Sequence, residues 1–119
     1  MPPPNGIKNE ISIVHKIIEL YKLFNEYLKS FPRSEKYTLG EKIKNLIIEL
    51  LVITLKSAYS HKDKKLPLLN RVDNRIFILK TLIRLAKETE SLDIKKYIYL
   101  EEKLQEIGKM LGGWIKSIK

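Results

Sequence analysis

Cysteine is absent from the 119-residue sequence, and histidine occurs only twice, as His15 and His61. Without cysteine the chain has no disulfide, no thiolate nucleophile and no sulfur ligand for zinc, a composition that suits a reducing compartment. We therefore expect a cytoplasmic protein. Since histidine supplies many catalytic and metal sites, its scarcity argues against both. We predict a protein that is not an enzyme and has no cofactor.

Long apolar runs and glycine-rich loops are also missing. The longest apolar stretch, residues 46–55, contains Glu49 and is well short of the roughly 20 residues that span a bilayer. We expect no membrane partner. Gly112 and Gly113 follow no predicted strand and precede no Lys-Ser or Lys-Thr pair, so they do not form a phosphate-binding loop. The proline-rich start lacks the pattern of a secretory signal, and we predict a flexible tail over residues 1–9.

A metal site is not predicted at either histidine. His15 and Glu19 are one helical turn apart, but two ligands do not make a site, and both lie on the polar side of their helix. A di-iron bundle needs Glu-x-x-His pairs, and neither histidine has a glutamate three residues before it. A solvated pair is the preferred interpretation.

Apolar residues recur at spacings of three and four, which predicts helices throughout. Four helices are expected within one domain over residues 10–119. The first spans residues 10–30. The second begins near Thr38, which has capping-box spacing to Glu41, and ends near residues 59–61. A charged turn over residues 61–65 follows. Short connections then make an up-down-up-down antiparallel four-helix bundle, an all-α fold.

Pro67 suits the first turn of the third helix, and Ser91 or Asp93 can cap the fourth. Each helix is expected to bury one apolar stripe. The predicted stripes are Val14, Ile17, Ile18, Tyr21, Phe24 and Leu28 on the first helix, Leu39, Ile43, Leu46, Ile47 and Leu50 on the second, Leu69, Val72, Ile76, Leu79, Ile83 and Ala86 on the third, and Tyr97, Leu100, Leu104, Ile107, Leu111, Trp114 and Ile118 on the fourth.

The second and third helices carry more apolar residues than one core face requires. The additional residues are Ile48, Val52 and Leu55 on the second helix and Ile78, Leu82 and Leu85 on the third. A single bundle leaves part of this surface in water, and contiguous exposed apolar patches mark association sites. We predict a homo-oligomer with these six residues at its interface. The alternative is that they pack under the N-terminal tail or the Phe31 loop.

The chain is strongly basic, with 23 Lys and Arg against 14 Asp and Glu and a formal net charge of +9. Oligomerisation multiplies this charge and attracts polyanions, so we predict salt-dependent RNA or DNA binding with little sequence preference. The candidate residues for nucleic acid or another partner are Lys62, Lys64, Lys65, Arg71, Arg75, Arg84 and Lys87. The alternative for any single lysine is that it is an ordinary solvated surface residue without a binding role. Tyr37, Tyr59, Tyr97 and Tyr99 are candidates for base stacking, although packing in the core or at an interface is the preferred role for each.

Three sequence runs go beyond a general helical pattern: FPRSEKYTLGEKI at residues 31–43, RIFILKTLIRLAK at residues 75–87 and IGKMLGGWIKS at residues 107–117. Together they resemble the accessory variability determinant proteins of diversity-generating retroelements. These belong to a wider four-helix-bundle family that includes proteins encoded in 23S rRNA intervening sequences. The likeness extends from about residue 11 to residue 119.

This resemblance implies a homopentameric, barrel-like ring of basic four-helix bundles without catalytic residues. Such a ring binds the reverse transcriptase of the element together with template RNA and cDNA, and supports mutagenic copying. The alternative function is a structural or protein-interaction module of the same fold that has no nucleic-acid role. By similarity, scaffold roles fall to Phe31, Pro32, Tyr37, Leu39 and Gly40 at the first corner and to Gly108, Leu111, Gly112, Gly113 and Trp114 on the last helix.

Overall fold

The computed structural model describes the backbone of residues 5–119 and the side chains of residues 12–119, and this part of the chain contains helices and no strand. Four long helices account for most of it, and a short helix and a π-helix lie between the first two of them. The elements are α1 (Asn5–Leu28), α2 (Arg33–Glu35), the π-helix (Lys36–Gly40), α3 (Glu41–Ala58), α4 (Lys62–Glu88) and α5 (Ile94–Ile118).

The four long helices pack side by side in the order α1, α3, α4, α5, with α5 closing the ring against α1. The molecule measures 48 × 22 × 19 Å. At about 1.5 Å per residue, α4 alone is roughly 40 Å long, so successive long helices must alternate in direction along the same axis. The predicted all-α four-helix bundle is therefore confirmed.

The first helix begins earlier than the sequence indicated. Residues 1–4 of the predicted tail lie outside the described residues, whereas residues 5–9 form the start of α1. Extending an existing helix by one residue costs much less than starting a new one. Because proline is absent from residues 5–9, nothing in their covalent structure stops this extension.

The predicted capping box at Thr38 is wrong. Helical backbone starts directly after Pro32, and the amide groups of Glu35 and Lys36 both donate to the Pro32 carbonyl, at 2.9 Å each. Thr38 consequently lies inside a helical segment, where its hydroxyl donates to the Ser34 carbonyl at 3.0 Å. A side chain that bonds backward in this way does not cap the turn that follows it.

The predicted charged turn over residues 61–65 is also wrong in extent, because α4 already begins at Lys62 with His61 as its N-cap. The amide groups of Lys64 and Lys65 donate to the His61 carbonyl at 2.9 and 3.1 Å. Pro67 thus lies inside the helix, as its sixth residue, rather than in its first turn. It lies near the N-terminus of α4, where few helical residues precede the proline ring, so the backbone hydrogen bonding that proline disrupts is confined to the first turns.

The α4–α5 connection agrees better with the sequence. Asp93 caps α5, and its carboxylate accepts a hydrogen bond from the Lys96 amide at 2.8 Å. At the end of α4 the chain turns through Glu90, the one non-glycine residue with positive φ among those described, at 66°. The Glu90 and Ser91 amide groups bond back to the carbonyls of Lys87 and Ala86, which is the Schellman arrangement.

The core confirms the predicted stripe of α4, since all six of its residues are buried. On α1, the fully buried residues include Ile13 and Leu20, which were not predicted, whereas Val14, Ile18 and Tyr21 are only half-buried. The face of α1 is therefore rotated slightly from its expected position. This helix is apolar over a wide arc, and packing against both α3 and α5 determines which part of that arc lies deepest.

Candidate protein and nucleic-acid interface

A second stripe of side chains runs along α4 beside its core stripe. Each member after Lys64 precedes a core residue by one position, so the two stripes are about 100° apart around the helix axis. The stripe is basic in its first half and apolar in its second. Its members are Lys64, Leu68, Arg71, Arg75, Ile78, Leu82 and Leu85.

This second stripe lies on the α3 side of α4. The opposite side of α4 faces α5, because the Lys87 Nζ atom lies 4.7 Å from the ring centroid of Tyr97 on α5. Within the stripe, Arg71 is exposed and Arg75 is half-buried. Neither arginine forms an ion pair with a side chain in the described part of the protein. Both guanidinium groups are therefore available to an external anion.

Arg84 and Lys87 do not join Arg71 and Arg75. At about 100° per residue they lie roughly 120° to 180° away from those arginines around α4. Both also have partners within the chain. The Arg84 Nε atom is 3.3 Å from a Glu88 carboxylate oxygen, and Lys87 covers the Tyr97 ring. The single set of basic residues considered from the sequence is thus divided between two sides of the helix.

The three lysines at residues 62, 64 and 65 form part of the first turn of α4. Lys62 and Lys64 are exposed, whereas Lys65 is half-buried. A helix N-terminus carries a partial positive charge, so lysines there oppose helix stability. This helix-end electrostatics does not account for Lys62 and Lys64. Lys64 continues the second stripe toward Arg71, which puts three cations on one side of α4.

On α3, the three predicted interface residues point away from the core. Ile48, Val52 and Leu55 are 41%, 42% and 39% exposed, and we refer to them as the α3 patch. The alternative that the Phe31 loop covers them is not supported. Phe31 is itself buried, with its ring 5.7 Å from that of Phe24 in an edge-to-face contact.

The other predicted interface residues, Ile78, Leu82 and Leu85, form the α4 patch. Leu85 is 42% exposed, while Ile78 and Leu82 also pack against the core. Three residues connect α3 to α4, so the α3 patch is level with the first turns of α4. The α4 patch lies further along, beside the π-helix. At 1.5 Å per residue the two patches are roughly 20 Å apart along the bundle axis.

Sequence reasoning missed one exposed aromatic side chain and left the exposure of the candidate tyrosines open. Phe77 is 70% exposed on the α5 side of α4, outside both stripes, and its place on a helical wheel is the signal that would have found it. Tyr37, Tyr59 and Tyr99 are exposed rather than packed in the single chain. Tyr97 alone of the four candidate tyrosines is half-buried.

The remaining chemistry is sparse in the part of the protein that the structure describes. His15 Nε2 is 3.9 Å from a Glu19 carboxylate oxygen on an exposed surface. The described side chains include no group of three or more His, Asp or Glu residues arranged to hold a metal ion. None of the helices in residues 5–119 combines the length and apolar character needed to cross a membrane.

The fold and its surface define a class, the four-helix bundles with a basic and apolar face exposed on the single chain. Comparison with known proteins narrows this class. The family model described as bAvd-like matches residues 11–118, and the chain belongs to that family. This match confirms the resemblance to accessory variability determinant proteins that the three sequence runs indicated. No curated protein matches the chain.

Proposed function

We propose that this protein is the accessory factor of a diversity-generating retroelement. It assembles into a homopentameric ring and holds the reverse transcriptase together with template RNA and cDNA during mutagenic copying. The family match over residues 11–118 carries the proposal. The protein contributes binding and no catalytic residue.

The two apolar patches support assembly into a ring. Because they lie at different heights on the bundle, the α3 patch of one copy can pack on the α4 patch of the next. Such a heterologous contact leaves one patch free at each end of a chain of copies, and the assembly closes when the rotation per copy completes a circle. An assembly of five copies would combine five times the net charge of +9.

Arg71, Arg75 and Lys64 support the binding of nucleic acid. They lie on one side of α4, next to the α3 patch, so assembly brings cations of neighbouring copies close together. Arginine matches phosphate oxygens with paired N–H groups, and each phosphate that a cation neutralises releases a counterion. Binding should therefore weaken steeply as salt rises.

Charge reversal tests this site. We expect Arg71→Glu/Arg75→Glu to lower RNA affinity at least tenfold at low salt and to reduce the slope of log K against log salt. The matched control is Lys22→Glu/Lys109→Glu, which changes the net charge equally at exposed positions on α1 and α5. Equal losses for both variants, with oligomers intact, would remove Arg71 and Arg75 from the site.

Binding of the reverse transcriptase needs a separate measurement. We expect the protein to elute together with the reverse transcriptase of its own element in size-exclusion chromatography, with or without RNA. The alternative of an interaction module without a nucleic-acid role predicts elution with a protein partner and no RNA binding even at low salt. Absence of both interactions would contradict the proposed function.

A further inference from the structure

A cleft opens at the corner where α1 ends and α3 begins. Its volume is about 250 Å³. It is distinct from the Arg71 and Arg75 surface, because α1 lies across α3 from α4. The lining residues are Asn25, Leu28, Lys29, Lys36, Tyr37, Glu41 and Lys44.

The cleft is basic, with three lysines and one glutamate in its lining. Each lysine is only weakly engaged. Lys36 Nζ lies 5.9 Å from the Tyr37 ring centroid and Lys44 Nζ 5.8 Å from that of Tyr21. Lys29 pairs with Glu26 at 3.1 Å, with both side chains about two-thirds exposed. Both cation–π distances are close to the 6 Å limit of that interaction, and an exposed ion pair contributes little stability, so the three ammonium groups can turn toward an anion.

An aromatic face accompanies these cations. Tyr37 is 67% exposed at the cleft, which does not fit the scaffold role that similarity implies for it. Lys36 and Tyr37 lie on the π-helix, a form that is rare and often found at functional sites. The corner is held by Gly40, which is buried on the same π-helix and where any Cβ atom would overlap Leu28. The cleft is therefore pre-formed, which lowers the entropic cost of binding.

We propose that this cleft binds one nucleotide, with its phosphate on Lys29, Lys36 and Lys44 and its base stacked on Tyr37. The cleft is smaller than the roughly 300–1,000 Å³ of typical small-molecule pockets, so it accepts a single unit. The same chemistry belongs to a free nucleotide and to one unit of a single strand. The inference rests on the proposed function for its choice of a single strand as the physiological source.

A short single-stranded RNA tests that source. We expect Tyr37→Leu to weaken binding of a labelled pentanucleotide about tenfold, because stacking on an aromatic ring contributes that order of affinity per base. Binding of a duplex of the same sequence should not change, since its bases are already stacked. The matched control is Phe77→Leu, at an exposed aromatic ring outside the cleft. Identical single-strand affinities for the two variants would overturn the assignment to a single strand.

A free nucleotide tests the cleft independently of RNA binding. In protein labelled with 3-fluorotyrosine, we expect AMP to shift the ¹⁹F signal of Tyr37, assigned with Tyr37→Phe, and adenosine or phosphate alone to shift it less. Lys36→Gln/Lys44→Gln should abolish the shift, with thermal unfolding measured to show that the fold is retained. If AMP shifts the signal but RNA does not bind, the proposed function fails and the cleft stands. If RNA binds but neither AMP nor Tyr37→Leu has an effect, the cleft proposal fails and the function stands.

Discussion

Glu90 occupies a backbone conformation that its side chain disfavours. Its φ of 66° ends α4 and allows the Ser91 amide to reach the Ala86 carbonyl at 2.8 Å. A residue with a Cβ atom pays about 1–2 kcal/mol in this left-handed region, whereas glycine adopts it readily. The turn between α4 and α5 therefore contains backbone strain at one residue, Glu90, and a glycine at this position would relieve it.

We predict that Glu90→Gly raises the free energy of unfolding by about 1 kcal/mol, since the strain relieved exceeds the extra chain entropy that glycine loses. Urea denaturation measures the change. The control is Glu102→Gly at an exposed position inside α5, where glycine should lower stability by about 1 kcal/mol. A loss of stability in both variants would contradict this view of the turn.

Tyr27 has a pKa raised above 10.0, because its partial burial disfavours the phenolate and because Tyr99 and Asp93 add negative charge nearby. The unfolded chain then loses this proton before the folded one does. The contribution of protonated Tyr27 to the free energy of unfolding is therefore fully present below pH 10.0. It falls as the pH rises from there through the pKa that Tyr27 has in the folded protein.

Alkaline titration followed by tyrosinate absorbance should show one ionising tyrosine fewer in Tyr27→Phe than in the unmodified protein. We expect the difference between the two titration curves to have its midpoint above pH 10.0. The stability of Tyr27→Phe should also depend less on pH above that value than the stability of the unmodified protein. A difference curve centred at or below pH 10.0 would contradict the raised pKa.

At the scale of elements, the helical glycines have different reasons to be glycine. On the π-helix, a Cβ atom at Gly40 would overlap Leu28 and lie 3.3 Å from Phe31. On α5, a Cβ atom at Gly112 would meet nothing within 4 Å. The same holds for Gly113, so no neighbouring helix approaches either glycine closely within the single chain. Among the glycines of residues 12–119, only Gly40, at the corner between α1 and α3, requires a missing side chain.

We predict opposite effects for the same substitution at these two glycines. Gly40→Ala should destabilise the protein by about 1–3 kcal/mol, because an overpacked site forces the backbone or Leu28 to move. Gly112→Ala should stabilise it by about 1 kcal/mol through helix propensity. Thermal unfolding of the two variants measures both changes. Equal effects would mean that the corner tolerates a methyl group.

At the scale of the whole molecule, the separation of the two apolar patches determines how copies can associate. If the α3 patch of one copy packs on the α4 patch of the next, a charge in either patch should break the assembly, because burying an unpaired ammonium group is costly. We expect Val52→Lys and Leu85→Lys each to sediment as monomers at micromolar concentration. Phe77→Lys, on the α5 side of α4, is the control and should remain oligomeric.

Mixing the two variants distinguishes this heterologous contact from a symmetric one. Val52→Lys keeps its α4 patch and Leu85→Lys keeps its α3 patch, so an equimolar mixture should form dimers that cannot grow further. A symmetric contact between two α3 patches predicts instead that Leu85→Lys alone stays dimeric. Unchanged oligomers in either variant would contradict the role of that patch.

Much of the fold was predictable because apolar spacing is a local property of the chain. The stripe from Leu69 to Ala86 was predicted completely, and Asp93 was among the two expected caps of α5. Helix starts were less predictable. Pro67 and Thr38 both carry signals of a helix start, yet each lies inside a longer helical segment. Such a signal allows a helix to begin at that residue but does not require it. Packing of the preceding turn decides whether the helix begins earlier in the chain.

The candidate sites show the same division. Charge and apolar excess in the sequence were sufficient to select Arg71, Arg75 and the two patches, because composition and periodicity need no tertiary information. The sequence by itself determined an all-helical, basic chain with more apolar surface than one bundle face requires. Only the tertiary structure decided that Lys87 covers the Tyr97 ring, that the patches differ in height, and that Tyr37 borders a basic cleft. These relations join residues on different helices, and their distances depend on how the helices pack.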